Sequence, residues 1–146
     1  MPTATFTVFD SYLEYEAEKI INLESDSFKV MLTNTAPVST NSVKANITEI
    51  SAGNGYSAGG AALTISSSSQ TSGTYKWVLA DNTITASGGT IGPFRYAVVY
   101  DDTPTSPADP LVGYADYGSS ITLQDTQRFV LDCDASAGVL QKIHTP

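Results

Sequence analysis

The pattern of apolar and polar side chains changes near Asp26, from a helical period to a period of two. Residues 7–23 predict one amphipathic α-helix, because their apolar positions recur at helical spacing. Those positions are Phe9, Leu13, Ala17 and Ile20. The start is open between two capping signals, Ser11 followed by Glu14 and Thr7 followed by Asp10.

The opposite face of the predicted helix is acidic. It carries Glu14, Glu16 and Glu18. Charge runs on a helix usually form a solvated face, and an acidic surface for a partner is the alternative.

After Asp26 the chain predicts about ten short strands separated by turn residues. The first alternates Phe28, Val30 and Leu32 with Lys29, Met31 and Thr33, as in a half-buried strand. The predicted strands are 28–33, 44–50, 61–67, 73–80, 82–86, 93–101, 110–117, 119–123, 127–134 and 138–143. One helix cannot supply the crossovers of a parallel sheet. We therefore predict a mainly β chain, a single antiparallel β-sandwich of the jelly-roll type with one N-terminal amphipathic α-helix, forming one domain over 1–146.

Alternation also predicts the core. Three sets of side chains are expected to share a strand face: Tyr75, Trp77 and Leu79; Phe94, Tyr96, Val98 and Tyr100; Phe129, Leu131 and Cys133. Trp77 is placed in the interior with its indole N–H on a backbone carbonyl. Cys133 is interpreted as a small core residue rather than a nucleophile.

Composition supports this class and narrows the partners. Only 15% of residues are charged, too few for a bundle of long solvated helices. The net charge of −8 disfavours nucleic acid and anionic membrane surfaces. A single cysteine gives no internal disulfide, and we see neither a secretory signal nor an apolar run long enough for a membrane span. We expect a soluble chain made in the cytosol.

Candidate chemistry is sparse. The one histidine, His144, is too isolated to act as a base beside a nucleophile, and one Cys with one His does not make a zinc site. We expect no catalytic residue, no cofactor and no metal ligand, although calcium stays open because carboxylates are plentiful. The carboxylates considered for calcium are those of Asp101, Asp102, Asp109, Asp116, Asp125, Asp132 and Asp134.

From about residue 6 to residue 140, the chain resembles a family of small structural proteins of tailed bacteriophages. The likeness lies in Phe28–Pro37, Ile47–Ile50, Gly53–Tyr56, Gly73–Asp81, Ala86–Gly89, Gly92–Tyr100, Pro110–Gly113, Asp116–Leu123 and Asp134–Leu140. The resemblance implies a capsid decoration, or cement, protein without catalysis. It further implies a virion protein on the capsid surface, assembled in the host cytoplasm.

The implied partners are the major capsid protein and further copies of the chain, with a trimer favoured over a dimer. Residues 1–6 are uncharged, and are interpreted either as an arm over a neighbour or as a disordered terminus. The loop 102–110, with three prolines, is long enough to project from the body and contact a partner.

Two other functions remain. The first is a tail or fibre adhesin that stacks host glycans on tyrosines. The tyrosines considered are Tyr12, Tyr15, Tyr114 and Tyr117. The second is a depolymerising enzyme using Asp132 and Asp134, which the charge pattern gives no reason to expect.

Overall fold

The computed structural model describes residues 4–144, which are mainly β with antiparallel pairing and contain one α-helix. This confirms the predicted mainly β class with its N-terminal helix. The elements are β1 (Phe6–Val8), α1 (Asp10–Ala17), β2 (Phe28–Thr33), a 3₁₀ turn (Lys44–Asn46), β3 (Ala61–Ala62), β4 (Ile65–Thr71), β5 (Thr74–Leu79), β6 (Asn82–Thr85), β7 (Ile91–Asp101), β8 (Leu111–Leu123), β9 (Arg128–Leu131) and β10 (Leu140–Ile143).

The strands form three sheets. The largest has the order β1-β8-β7-β2-β3, the second β10-β5-β4, and the third pairs β6 with β9. The main hydrophobic cluster combines side chains from all three sheets, including Val30 and Val99 of the largest sheet, Trp77 of the second and Ile84 of the third. The three sheets are therefore joined through one shared core.

The central strands of the largest sheet are buried on both faces. Val30 and Leu32 of β2 face the main cluster, whereas Met31 packs on the other face in a second cluster with Phe9 and Val98. The long connection from β2 to β3 contributes Ile47 to that second cluster. The prediction of a half-buried β2 is thus wrong, because the opposite face is covered as well.

The helix is shorter than predicted, spanning Asp10–Ala17 instead of 7–23. It starts later because the preceding residues are extended: β1 pairs with β8, and the Phe9 N–H donates to the Val112 carbonyl at 3.2 Å. It ends earlier because Lys19 takes a left-handed backbone conformation with φ 62°. That turn brings Ile21 into the main core.

The predictions of the helix cap and of its buried face are also wrong. The N-cap is Phe9, without a side-chain capping hydrogen bond, so neither Ser11 nor Thr7 caps the helix. Tyr12 is the buried helix residue, whereas the side chain of Leu13 is 64% exposed. Helical spacing predicts Leu13 on the buried face, whereas the neighbouring residue Tyr12 is the one that packs in the core.

Most predicted strands are found, but β9 ends at Leu131 instead of 134 and leaves Cys133 outside the strand, and three further predictions differ. Residues 44–50 contain a 3₁₀ turn and no strand, and 61–67 divides between β3 and β4. Residues 110–117 and 119–123 join into the single strand β8, since Gly118 passes through with φ 99°. Gly118 predicts a turn, but it lies within β8, in the irregular stretch where the β7–β8 register jumps from the pair Tyr96–Asp116 to the pair Phe94–Ile121.

Two core predictions need correction. The face of β7 is not continuous, because register shifts between Ile91 and Tyr96 put Phe94 in the main cluster while Val98 faces the second cluster. Trp77 is fully buried as expected, edge-on to Phe28 with ring centroids 4.8 Å apart. Its indole Nε1, however, has no hydrogen-bond partner among the described residues.

Of the arm predicted at residues 1–6, the structure describes residues 4–6. Phe6 does not belong to a free arm, because it begins β1 and pairs with Ala115 of β8. Ala4 and Thr5 are exposed and outside any strand. Residues 1–3 lie outside the described range, as do 145 and 146.

Candidate interaction surfaces and a buried carboxyl group

The sheet β10-β5-β4 presents a hydroxyl-rich outer face. Ser69 of β4, Lys76 of β5 and Gln141 of β10 stand side by side across it, as the strand register requires. The Lys76 ammonium donates to the Ser136 carbonyl at 2.8 Å, and Ile143 at the end of β10 is 67% exposed. A shallow depression of about 880 Å³ covers this face. The surface is shallow, combines polar with apolar side chains, and carries one cation, Lys76, and one carboxylate, Asp81.

β4 leaves one edge of this sheet open. Among residues 4–144, β4 pairs with β5 alone, and its seven residues include no charge and no proline. Proteins commonly protect an edge strand by making it very short or by adding lysine or proline. The largest sheet does so, since its edge strands β1 and β3 have three and two residues. The edge of β4 is longer and has neither lysine nor proline, and a register irregularity between Ile65 and Ser67 is its one interruption.

A second concave surface lies between the largest sheet and the segment 129–139. It is a mostly apolar groove of about 790 Å³. Aromatic rings stack along it: Phe129 packs edge-on to Phe94 at 5.1 Å between centroids and contacts Tyr117 at 6.1 Å. Arg95 and Asp116 form a two-point ion pair at its rim, at 2.7 and 2.9 Å. This pairing lowers the pKa of the Asp116 carboxyl.

Cys133 lines both depressions but belongs to the core, as predicted. Burial, followed by the charges of Asp81 and Asp132, raises the pKa of its thiol to about 11. The thiol is therefore protonated at neutral pH, and the thiolate is the nucleophilic form. The backbone N–H of Cys133 donates to an Asp81 carboxylate oxygen at 2.8 Å, which fixes this segment against β5.

The tyrosines considered for glycan stacking are not freely exposed rings. Tyr12 is 2% exposed and lies in the main core, so it cannot stack on a sugar. Tyr15 packs against the same core, and Tyr114 packs against the second cluster. Tyr117 is half-buried beside Phe129. Each ring contributes to packing.

The acidic residues considered for calcium are dispersed. No group of three or more His, Cys, Asp or Glu side chains within residues 4–144 is placed to hold a metal ion. Asp125 accepts from the Gly88 N–H at 2.8 Å. Asp134 accepts from two turn N–H groups, those of Ser136 and Ala137, which lowers the pKa of its carboxyl. Asp132 is exposed, and His144 is exposed at the end of the described chain.

The acidic face of the helix is divided. Glu16 forms an ion pair with Lys142 of β10, linking the helix to the second sheet. Glu14 and Glu18 are exposed, beside the exposed Leu13.

The proline-containing loop 102–110 is fixed at its base. The Lys44 N–H donates to the Asp109 carbonyl at 2.9 Å, and Val43 forms an isolated β-bridge with Pro110. Thr105 bridges to Ala108 within the loop.

One buried acid was missed by sequence analysis as a distinct site. Asp101, at the end of β7, is 0% exposed. One of its oxygens, Oδ1, accepts from the Thr103 N–H at 3.0 Å, whereas Oδ2 has no hydrogen-bond donor among the described residues. Burial and the neighbouring Asp26 carboxyl raise the pKa of Asp101 to about 7. The sequence signal was weak, because Asp101 lies in the pair Asp101-Asp102 at the start of a loop.

No family model, curated protein or solved structure gives a significant match to this chain. None of the helices in the described range is long and apolar enough to cross a membrane.

Proposed function

We propose that this chain is a non-enzymatic decoration protein on the outer surface of a tailed-phage head. In this role it contacts neighbouring major capsid protein subunits and stabilises them against each other. The residue likeness over about 6–140 supports the proposal, as does a mainly β chain built from antiparallel sheets. The architecture we propose is a jelly-roll-like sandwich, with the largest sheet as one layer and the two smaller sheets as the other.

The observation that carries the interaction is the open edge of β4 beside a shallow face rich in hydroxyl groups. An exposed edge offers a row of backbone donors and acceptors to an extended segment of another protein, which pairs by strand addition. A chain of net charge −8 repels acidic partners over much of its surface, but β4 itself carries no charge. This edge is therefore the place where another subunit can approach closely.

Many weak contacts suffice for such a role. Each copy needs an interface of only standard size, and an oligomer engages several sites at once. We propose a trimer in preference to a dimer, so that one particle-bound unit contacts several capsid subunits.

The test is binding to expanded, empty heads of the phage that encodes the chain. We expect saturable binding at a fixed ratio to the major capsid protein, with a rise in the melting temperature of the heads. Ser69→Glu places a charge on β4, opposite Lys76, and we expect it to weaken binding at least tenfold while leaving the fold intact. Thr83→Glu, on an exposed position of β6, is the matched control and should bind as the native chain does.

Binding to purified tails without binding to heads would reject the proposal and support the adhesin alternative. Equal loss of binding in both variants would reject β4 as the contact edge while leaving head binding itself established.

A further inference from the structure

The buried end of the β2–β7 ladder brings two carboxyl groups together. Phe28 pairs with Asp101, so paired residues and those two positions away share a face of the sheet. Asp26 lies in the bend two residues before Phe28, next to this end of the ladder. The Asp26 carboxyl is near enough to that of Asp101 to contribute, after burial, to the rise in its pKa.

Both side chains are held in place by backbone donors. The Asn22 N–H donates to Asp26 Oδ2 at 2.7 Å, and the Thr103 N–H donates to Asp101 Oδ1 at 3.0 Å. Two further bonds join the same segments, from the Ser27 N–H to the Thr103 hydroxyl and from the Asp102 N–H to the Ser27 carbonyl, each at 2.8 Å. These last two bonds hold the segment that carries Asp26 against the segment that carries Asp101.

Asp101 Oδ2 is the atom that requires an explanation. It is fully buried and lacks a donor among the described residues, and an unpaired charged oxygen in that position is costly. A proton between the two carboxyl groups supplies the missing donor. The nearby donors do not compensate, since Lys29 is already paired with Asp102 at 2.8 Å and the Tyr100 hydroxyl donates to the Gly59 carbonyl at 2.6 Å.

We propose that Asp26 and Asp101 share one proton, and that its release loosens the junction between the segment before β2 and the loop after β7. A cation is the competing way to join two carboxylates. Calcium takes six to eight oxygen ligands, and no third acidic, His or Cys side chain within the described range joins this pair. The shared proton therefore accounts for the unpaired oxygen with the groups that are present.

The direct test follows the carboxyl carbon signals of Asp26 and Asp101 in the intact chain by nuclear magnetic resonance from pH 4 to pH 9. We expect the pair to titrate in two separated steps, one of them near neutral pH, as coupled acids do. Titration of both residues together near the ordinary pKa of aspartate, 3.8, would overturn the proposal.

A second measurement uses melting temperature against pH for the native chain, Asp101→Asn and Asp26→Asn. We expect the native chain to lose several degrees between pH 5 and pH 8, and Asp101→Asn to remove most of that loss. Asp132→Asn, at an exposed acid, is the control and should keep the native profile. A native profile in Asp101→Asn would contradict the proposal.

The same melts at pH 8 with added calcium chloride separate the two explanations. No change supports the shared proton. A rise in the native chain that both Asn variants lack would show a cation site and overturn the proposal.

Discussion

Gly60 and Gly88 share nearly the same left-handed backbone conformation but have different surroundings. At Gly60, with φ 82°, an added Cβ would lie 1.9 Å from the Val30 carbonyl oxygen. At Gly88, with φ 81°, nothing lies within 4 Å of that position. At Gly88, a side chain is disfavoured only by the left-handed backbone conformation. At Gly60, it would also collide with the backbone of β2 at Val30.

We therefore expect Gly60→Ala to destabilise by about 3 kcal/mol and Gly88→Ala by about 1 kcal/mol. Urea unfolding of the two variants measures the difference. Equal costs would mean that β2 moves freely to admit the new methyl group.

Cys133 provides a second test at the residue scale. Because its thiol is buried and burial raises its pKa to about 11, we expect a thiol reagent to react at neutral pH only when the chain opens. Its rate should rise steeply with urea near the unfolding midpoint. Fast reaction without denaturant, at the rate of a free cysteine peptide, would contradict this.

At the scale of the element, α1 is fixed by its contacts rather than by its sequence period. Tyr12 packs in the core and its hydroxyl has no partner among the described residues, while Leu13 faces outward. We expect Tyr12→Ala to cost about 3 kcal/mol, Tyr12→Phe to be nearly neutral, and Leu13→Ala to change stability by less than about 0.5 kcal/mol. Thermal melts check the order, and a larger cost at Leu13 than at Tyr12 would restore the face that the sequence predicts.

Because β7 is buried on both faces, adjacent residues of this strand both contribute to stability. Val98 faces the second cluster and Val99 faces the main cluster, and both are buried. We expect Val98→Ala and Val99→Ala each to cost about 2 kcal/mol. In a strand with one solvated face, one of the two substitutions would leave stability unchanged. An unchanged stability in Val98→Ala would therefore contradict burial of this face under the β2–β3 connection, which includes Ile47.

Elements with strong alternation were predictable from the sequence. β2 has the predicted bounds, and β5, β6 and β7 differ from their predicted bounds by one or two residues, because paired sheets enforce the period of two. The helix failed because its length depends on where β1 pairs and where Lys19 turns, which are tertiary facts. The prediction of a strand over 44–50 failed because a segment with alternating apolar residues can pack over a sheet without forming a strand in it.

The candidate surfaces were harder to foresee at this scale. The run Ser66–Ser69 reads as low complexity, and only the sheet order makes it part of an edge. Asp101 was noted among scattered acids, but its burial and its neighbour Asp26 depend on the β2–β7 register. Sequence alone supplied the residue types and not their proximity.

For the whole molecule, three buried phenols link stability to alkaline pH. Burial raises the pKa of Tyr12 to about 12 and raises the pKa values of Tyr56 and Tyr100 further above the ordinary value of 10.0. A raised folded-state pKa contributes stability that is present below the unfolded-state pKa and is lost as pH rises toward the folded-state pKa. We expect stability to fall above about pH 10.

Phenolate absorbance measures this directly. These three phenols should ionise together in a steep step that coincides with loss of circular dichroism. Ionisation of these three without any loss of circular dichroism would contradict the burial.

The order of the largest sheet also determines when it can be built during synthesis. Phe6 of β1 finds its ladder partner in Ala115 of β8, and β2 pairs with β7. A nascent chain leaving the ribosome therefore carries β1 unpaired until residues 111–123 of β8 have emerged. Contacts this distant in sequence make folding slow. Completion of this sheet thus waits for β8, and fragments ending before β8 lack the strand on which β1 depends.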